Sequence, residues 1–369
     1  MMVATKSIKF LVVFVLALTS FTAFAQDDAV ENNLVDSPDE IREYIAHHLK
    51  DSHDFHLYTD NASGTHYGFP LPVIVWTSNG LKTFMSSAFH HDDNGEVVVD
   101  KDGTKIVKYH TKLYELEEGA TALSFDEDHH PTNASKVIDF SITKSVFGML
   151  LTGLLMLLGF GALARGYKKG NTIPKGFSRV LEPLVIYVRD EIARPNIGDK
   201  KYRKFMGFLL TVFFFILILN LLGLSPLGFN VTGQIAVTAC LGIFTMIIYV
   251  FSGSKDFWAH TLWMPGVPKI LRPVLAVIEL IGFLIIKPFS LLVRLYANIT
   301  AGHFVVMSLM ALMITMKAAF GPVASTGVSL LLSIFIMFIE ILVAFLQAFI
   351  FTMLSSLFIG MAVEEHDEH

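Results

Sequence analysis

Five polar side chains lie in apolar sequence, and the ionisable ones among them could hold or carry charge inside a membrane. Arg294, Asn298 and His303 fall in one apolar run, and Glu340 and Gln347 fall in the next. A guanidinium stays protonated in proteins, whereas a carboxylate and an imidazole can both bind and release protons. An ionisable group costs roughly 2.5 to 3.5 kcal/mol at the centre of a membrane helix, so each one indicates a function. The set predicts a proton path beside a fixed positive charge.

Helical spacing decides which of these side chains could act together. Arg294 and Asn298 are four residues apart and share a face, whereas His303 comes nine residues after Arg294 and is turned by about 180°. Glu340 and Gln347 are seven apart and share a face of the next helix. If the two helices form an antiparallel hairpin, Glu340 can approach His303, and Gln347 can approach Asn298 or Arg294.

The same residues allow a structural alternative. Arg294 cannot be neutralised, so it must face a carboxylate, water or backbone oxygens. A buried ion pair with Glu340 or Glu279 would hold helices together without any transport. Lys287, in the same run as Arg294, is expected to extend its ammonium group to the membrane interface. Side-chain chemistry alone leaves the choice between an ion pair and a transport role open.

Long apolar runs must carry these residues. Of the 369 residues, 53% are hydrophobic and 17% are charged, with a mean hydropathy of +0.55, which disfavours an ordinary soluble enzyme. The last two of the apolar runs are too long for upright crossings and must tilt, or bend at a proline such as Pro288. The predicted fold class is therefore an all-α polytopic membrane protein with about five transmembrane helices, the last two long and strongly tilted. Runs long enough to span a bilayer occupy 146–164, 205–227, 235–251, 274–316 and 328–363.

Loop charge sets the expected orientation. Residues 165–204 contain 11 Lys or Arg and four acidic residues, whereas residues 26–140 hold 22 of the 33 acidic residues. The positive-inside rule puts the basic stretch in the cytoplasm and the acidic stretch in the periplasm, and the further crossings return the C-terminus to the cytoplasm. Within the basic stretch, residues 177–192 predict an amphipathic helix on the inner face. Its apolar stripe consists of Val180, Leu181, Leu184, Val185 and Val188.

The chain begins with the pattern of a secretory signal. Lys6 and Lys9 precede the apolar stretch 10–18, and the small-residue pattern of Ala23 and Ala25 comes just before the expected cleavage site at Gln26. We expect residues 1–25 to be removed, leaving a mature N-terminus in the periplasm. A retained membrane helix is the alternative, but about 10 to 14 apolar residues are too few to cross the hydrocarbon core.

Residues 26–140 predict a small β-containing external domain. Short β-rich runs at 71–76 and 96–99 are separated by turn signals at 93–95 and 102–103. Ten histidines in this segment could bind zinc or copper, or could simply be solvated surface, and none falls in a recognised metal-site spacing. The single cysteine, Cys240, excludes a disulfide framework. The histidines are His47, His48, His53, His56, His66, His90, His91, His110, His129 and His130.

The polar runs also resemble a known family. Residues 287–298 read KPFSLLVRLYAN and are followed by the triplet AGH at 301–303. With LQAFIF at 346–351 and NLLGLSP at 220–226, this pattern resembles subunit a of the bacterial F-type ATP synthase. The resemblance covers roughly residues 141–369, and three motifs in the same order are highly specific. Shorter family members lack so large an outer segment, so the resemblance says nothing about residues 26–140.

This resemblance implies a stator subunit that forms two offset proton half-channels against a rotating ring of c subunits. Arg294 would face the ring and attract its ionised carboxylates. The residues implied in the periplasmic proton path are Asn298, His303, Glu340 and Gln347. Many family members carry a carboxylate where His303 stands and a histidine where Glu340 stands, so the pair looks exchanged between helices. Glu279 lies near the acidic residue of the cytoplasmic exit path, one residue out of register.

The implied partners are the c-ring, the peripheral-stalk b subunits, the remaining synthase subunits and the lipid bilayer of the inner membrane. No cofactor, no metal and no nucleic acid is expected. The chain has no G-x-x-x-x-G-K-[ST] loop, so we expect it neither to bind ATP nor to be an enzyme on its own. Two rival functions remain: a metal-cation permease fed by the histidine-rich domain, and a receptor with an external sensory domain.

Overall fold

The computed structural model describes residues 50–60, 65–126, 130–168, 176, 178–225, 229–263, 268 and 270–364. The predicted signal peptide, together with His47, His48 and His129, lies outside these residues. Two compact units divide the chain. One ends at Met149 and includes Ser225–Asn230, and the other contains Leu150–Leu224 and the residues from Val231 onward. The first unit is rich in strands and the second is helical.

The first unit contains, within its described residues, nine short strands in three antiparallel sheets. The sheet orders are β1-β2, β4-β3-β9 and β5-β6-β7-β8. The predicted β-containing region is therefore confirmed. The strands are β1 (Asp54–Asp60), β2 (Thr65–Pro70), β3 (Pro72–Thr77), β4 (Gly80–Met85), β5 (Asn94–Lys101), β6 (Thr104–Tyr109), β7 (Lys112–Leu116), β8 (Ala134–Lys136) and β9 (Ile138–Asp139).

Strand β3 supplies the centre of the core of this unit. Val73 and Val75 are fully buried whereas Trp76 is exposed, because successive side chains of a strand point to opposite faces. Between β5 and β6, Asp102 and Gly103 have φ angles of 49° and 79°, the left-handed values that a two-residue hairpin turn requires. Other core residues are Phe89, Val99, Ile106, Leu113 and Val137.

Helices make up most of the remaining described chain. Two of the junctions between helices have π-helical geometry, at Val188–Ala193 and Gly282–Ile286. The helices are α1 (Lys144–Lys168), α2 (Ser178–Tyr187), α3 (Arg194–Ile197), α4 (Tyr202–Gly223), α5 (Ile235–Phe251), α6 (Lys255–Leu262), α7 (Arg272–Ile281), α8 (Lys287–Thr315), α9 (Lys317–Phe320) and α10 (Pro322–Val363).

Four helical segments of the described chain are long and apolar enough to cross a membrane. They are Lys144–Lys168, Tyr202–Gly223, Arg272–Leu309 and Val323–Val363. Helix α5 is equally apolar but has only 17 residues. A mostly helical membrane protein is therefore confirmed. Five crossings and a strong tilt of the last two helices stay predictions.

The long run that carries Arg294 is interrupted before its centre. Helix α7 passes into the π-helical stretch Gly282–Ile286, and α8 follows from Lys287 with Pro288 in its first turn. Proline lacks an N–H and its ring clashes with the carbonyl four residues earlier, which disturbs the preceding turn. Helix α10, in contrast, is continuous for 42 residues, or about 63 Å at 1.5 Å per residue.

From residue 178 onward, the predicted amphipathic helix at 177–192 consists of α2 and most of the π-helical stretch Val188–Ala193, and α3 follows it. Leu181, Val188 and Ile192 are buried in the core cluster formed with α4 and α10, so its apolar stripe packs largely against protein. Val180 is 60% exposed. The position of this segment on the inner face of the membrane stays a prediction.

Backbone and polar contacts hold the C-terminal end of α10. A Cβ atom at Gly360 would overlap the backbone carbonyl of Asn196, so only glycine permits this close approach. Lys201 donates through Nζ to the carbonyl oxygen of Val363 at 2.7 Å, and the N–H of Ser254 donates to Ala362 at 2.8 Å. These bonds occupy carbonyls that the last turn of a helix leaves free.

Candidate functional site

Arg294 projects from α8 on its exposed side. The opposite side of the helix is buried, with Leu291 and Leu295 each only 1% exposed. Within the part of the chain that the structure describes, Arg294 has neither a hydrogen bond nor an ion pair. The internal pair with Glu340 or Glu279 that the sequence allowed is not formed among these residues. The guanidinium is available to a group outside the described chain.

Glu340 lies against α8 at Gly302. A Cβ atom placed on Gly302 would come within 2.6 Å of Oε1 and of the carboxyl carbon of Glu340, so the carboxylate occupies the space that glycine leaves. His303 is the next residue of α8 and is partly buried. Only the short helix α9 and its flanking residues separate α8 from α10. The contact between Gly302 and Glu340 therefore requires the chain to reverse there and α8 and α10 to run antiparallel.

The register of this hairpin places Gln347 level with the Arg294 region. Counting from the Gly302–Glu340 contact in antiparallel register, position 347 comes opposite Leu295. Gln347 is 8% exposed, and Ala344 and Ala348 beside it are buried. Small side chains on this face of α10 permit the close packing of the two helices. Asn298, one turn after Arg294 in α8, is partly buried.

Asn220, the first residue of the motif NLLGLSP, is a buried polar residue that was not among the predicted site residues. It lies in α4 and is 1% exposed. Its Nδ2 donates to the carbonyl oxygen of Ala344 at 3.4 Å, and its Oδ1 accepts from Thr232 Oγ1 at 2.9 Å. The amide therefore links α4 to α10 between Glu340 and Gln347. The sequence signal that could have identified this residue is the presence of an asparagine inside the apolar run 205–227.

Lys287 is surrounded by aromatic rings. Its Nζ lies 3.5 Å from the ring centroid of Phe283 and 5.2 Å from that of Phe358. Such cation–π contacts stabilise an ammonium group that leaves bulk water. Lys287 is partly buried, and the extension of its ammonium group to the membrane interface stays a prediction. Glu279 lies on α7, is partly exposed, and has no hydrogen bond or ion pair with the described residues.

The histidines of the first unit were candidates for a metal site. Among the described residues, no group of three or more His, Cys, Asp or Glu side chains could hold a metal ion. His53 is 2% exposed and instead pairs through Nε2 with Asp139 Oδ2 at 2.7 Å. Burial alone would raise the pKa of the Asp139 carboxyl, but hydrogen bonds with His53 and Ser141 hold that pKa below its ordinary value. This pair ties β9 to the segment before β1.

Comparison with known proteins divides the chain in a similar way. Residues 146–360 match the family model described as ATP synthase A chain, and residues 44–140 match a model described as a domain of unknown function. A protein named ATP synthase subunit a 2 from Chlorobaculum tepidum is 42% identical over 252 residues, covering 66% of this chain and 70% of its own. The protein named ATP synthase subunit a from Chlorobium phaeobacteroides is 45% identical over 238 residues, covering 63% of this chain and 68% of its own. The corresponding protein of Chloroherpeton thalassium is 44% identical, covering 63% and 69%.

Proposed function

The chain belongs to the ATP synthase A chain family, and from this premise we propose that it forms two offset proton half-channels against the c-ring of an F-type ATP synthase. It is a membrane subunit of that complex and not a catalytic subunit. In the proposed mechanism it couples proton flow to rotation of the ring. The single observation that carries the proposal is Arg294 itself, an exposed arginine on a membrane helix that has no partner among the described residues.

Arg294 is the ring-facing cation in this mechanism. A carboxylate of the ring that arrives ionised is attracted by the guanidinium, which cannot lose its own charge. The same charge favours release of the proton from an arriving carboxylic acid. A fixed cation between the two half-channels also prevents protons from passing directly from one to the other. Rotation is then the only route that joins the two sides.

Proton entry is assigned to the polar face between α8 and α10. Protons from the periplasm would pass through water to Glu340 and His303 and then to a carboxylate of the ring. Asn298 and Gln347 would complete the lining of this path. Neutralising the ring carboxylate removes most of the cost of exposing it to lipid, so the ring can turn. The contact of Glu340 with Gly302 supports this path, because it puts a titratable group of α10 against α8, the helix that carries Arg294.

The driving force has a known scale. Each proton that crosses 100 mV releases about 2.3 kcal/mol, so several protons are needed for each ATP.

Glu279 is proposed for the cytoplasmic exit path because of its place in α7. Residues 26–140 are proposed to lie in the periplasm, and the C-terminus in the cytoplasm, because of the charge asymmetry of the loops.

The test replaces Arg294 in the whole complex. We expect Arg294→Ala to abolish respiration-driven ATP synthesis in inverted membrane vesicles while the complex assembles in normal amount. Assembly is measured by the quantity of all subunits that copurify. A wild-type rate of synthesis from fully assembled Arg294→Ala complex would overturn the proposal. Transport of a metal cation by the purified chain without the ring would instead support the permease alternative.

A further inference from the structure

The β4-β3-β9 sheet has an apolar outer face. Trp76 pairs with Leu81 on one side and with Ile138 on the other, which puts the three side chains in a row. Met85 and Phe140 lie on the same face two or more positions away. These side chains are 45% to 61% exposed. We call this surface the outer face, and it consists of Ile74, Trp76, Leu81, Thr83, Met85, Ile138 and Phe140.

This composition is unusual for a solvated sheet. An antiparallel sheet that packs one side on a core normally presents polar residues on its other side. Among the described residues, the outer face carries no charged side chain, and Thr83 is its polar member. The charged Lys82 and Asp139 point to the opposite side, where Lys82 pairs with Asp102 and Asp139 with His53. Contiguous exposed apolar surface of this kind marks an interaction site.

The same unit fixes the outer face close to the start of α1. Beyond β9, the N–H of Phe140 donates to Ile74 O at 2.8 Å and that of Ile142 donates to Pro72 O at 3.0 Å. Helix α1 begins at Lys144, whose N–H donates to Ser52 O at 2.9 Å. Its second residue, Ser145, is capped by Asp51 Oδ1 at 2.9 Å. The entry of the chain into a membrane helix is therefore built onto the sheet.

Distance along the chain limits what can cover this face. Phe140 precedes α1 by four residues, which span at most about 13 Å when extended. The headgroup region on each side of a bilayer is about 5 to 8 Å thick. A sheet that lies along the membrane surface keeps its whole face within that region, whereas an upright sheet would leave Trp76 and Leu81 in water. The apolar composition of the face favours the first arrangement.

We propose that the outer face rests on the headgroup and upper acyl region of the leaflet from which α1 enters the bilayer. Tryptophan favours this boundary, because its ring is apolar and the indole N–H can still donate to an ester oxygen. Phenylalanine and leucine are typical of the face that an interfacial segment buries below the headgroups. The chain that forms this face continues within four residues of Phe140 into a membrane helix, which keeps the face near the leaflet surface. The proposal requires only that α1 spans the membrane, and it does not depend on the proton path.

An environment-sensitive probe at Thr83 tests the proposal. In the complete complex with Cys240→Ser, the variants Thr83→Cys and, separately, Lys101→Cys are labelled with a nitrobenzoxadiazole thiol reagent and reconstituted into phosphatidylcholine vesicles. Lys101 is an exposed residue of β5, on a different sheet, and serves as the matched control. Neither position belongs to the proposed proton machinery. Leu81→Cys is a second probe site if Thr83→Cys does not assemble.

Quenching by two reagents separates the outcomes. We expect nitroxide-labelled phosphatidylcholine to quench the Thr83 probe several-fold more than the Lys101 probe, and aqueous iodide to show the reverse order. Equal quenching by iodide at both sites would mean that the face is in water and would overturn the proposal. Protection of the Thr83 probe from both quenchers would mean that protein covers the face, which would also overturn it.

Discussion

Two basic residues on one face of α8 have different surroundings, and this difference suits different roles. Lys287 and Arg294 are seven residues apart, which is close to two helical turns. Lys287 is satisfied by the rings of Phe283 and Phe358, whereas Arg294 is exposed and lacks an internal partner in the described chain. A ring carboxylate can therefore compete for Arg294 without breaking an existing ion pair.

The carboxylate of Glu340 gives the first prediction. Glu340→Gln keeps the shape of the side chain but removes its proton-binding group, so we expect ATP-driven proton pumping to fall by about 10²-fold, the usual loss for a positioned acid–base group. His303→Ala should slow pumping less. Acidification of inverted vesicles, followed with a fluorescent pH indicator, measures both rates. Glu364→Gln, an exposed carboxylate after α10, is the matched control and should pump normally. Normal pumping by Glu340→Gln would remove Glu340 from the path.

Asp139 gives a prediction on pH dependence. Because its pKa is lower in the folded unit than its ordinary value of 3.8, its ionised form stabilises the fold above that value, and this stability is lost as the pH falls through the folded pKa. Asp139→Asn should therefore lower the free energy of unfolding of the strand-rich first unit by about 1 to 2 kcal/mol at neutral pH. This loss of stability should shrink below about pH 4. Hydrogen exchange of the β3 and β9 amides in the intact complex measures this loss of stability.

The exposed pair of Lys82 and Asp102 supplies the control for that experiment. Asp102 is 84% exposed, so Asp102→Asn should change exchange by no more than a surface ion pair is worth, which is about 0 to 1 kcal/mol. A deficit in Asp139→Asn that stays constant between pH 3 and 7 would contradict an electrostatic role of its pair with His53.

The sequence identified which residues could carry charge, but it did not predict which side chains would surround them in the structure. Arg294, His303 and Glu340 stood out because charge is expensive in an apolar run. Asn220 carries no charge, and its partner Ala344 is 124 residues away, so nothing local indicated that its amide joins two helices. The aromatic surroundings of Lys287 likewise depend on Phe358 of a later helix, which no spacing rule connects with it.

At the scale of the element, glycine positions α8 against α10. Gly302→Ala should displace the carboxylate of Glu340 and slow ATP-driven proton pumping while leaving assembly intact, because the new Cβ would overlap that carboxylate. Gly327→Ala in α10 is the matched control, since a Cβ there has nothing within 4 Å. Alanine normally favours a helix by about 0.5 to 1 kcal/mol over glycine, so the control should be neutral or slightly stabilising. Equal pumping by the two variants would contradict the contact.

Element boundaries followed the apolar pattern closely where polar residues marked the ends. The predicted run 235–251 coincides with α5, and the last run ends with α10 at Val363. The π-helical stretch Gly282–Ile286 was not predicted, because a single widened turn leaves a wholly apolar pattern unchanged.

At the scale of the molecule, two solvents are encoded in one chain. Residues 26–140 hold 22 acidic residues, whereas residues 205–363 hold only three, so one part is suited to water and the other to lipid. The strand-rich unit follows the first composition and the long apolar helices follow the second. The outer face is the exception, since it is apolar within the acidic unit, and its place beside α1 gives that exception a physical reason.

Orientation across the membrane is the last prediction, and it follows from the 11 basic residues in 165–204. With Cys240→Ser as background, a membrane-impermeant maleimide should label Lys101→Cys in intact spheroplasts but should label Lys200→Cys only after lysis. Both native lysines are exposed, so burial cannot explain a difference. Inverted vesicles should give the opposite order. Labelling of Lys200→Cys from outside would place the basic stretch in the periplasm, and the proposed entry and exit paths for protons would then have to exchange sides.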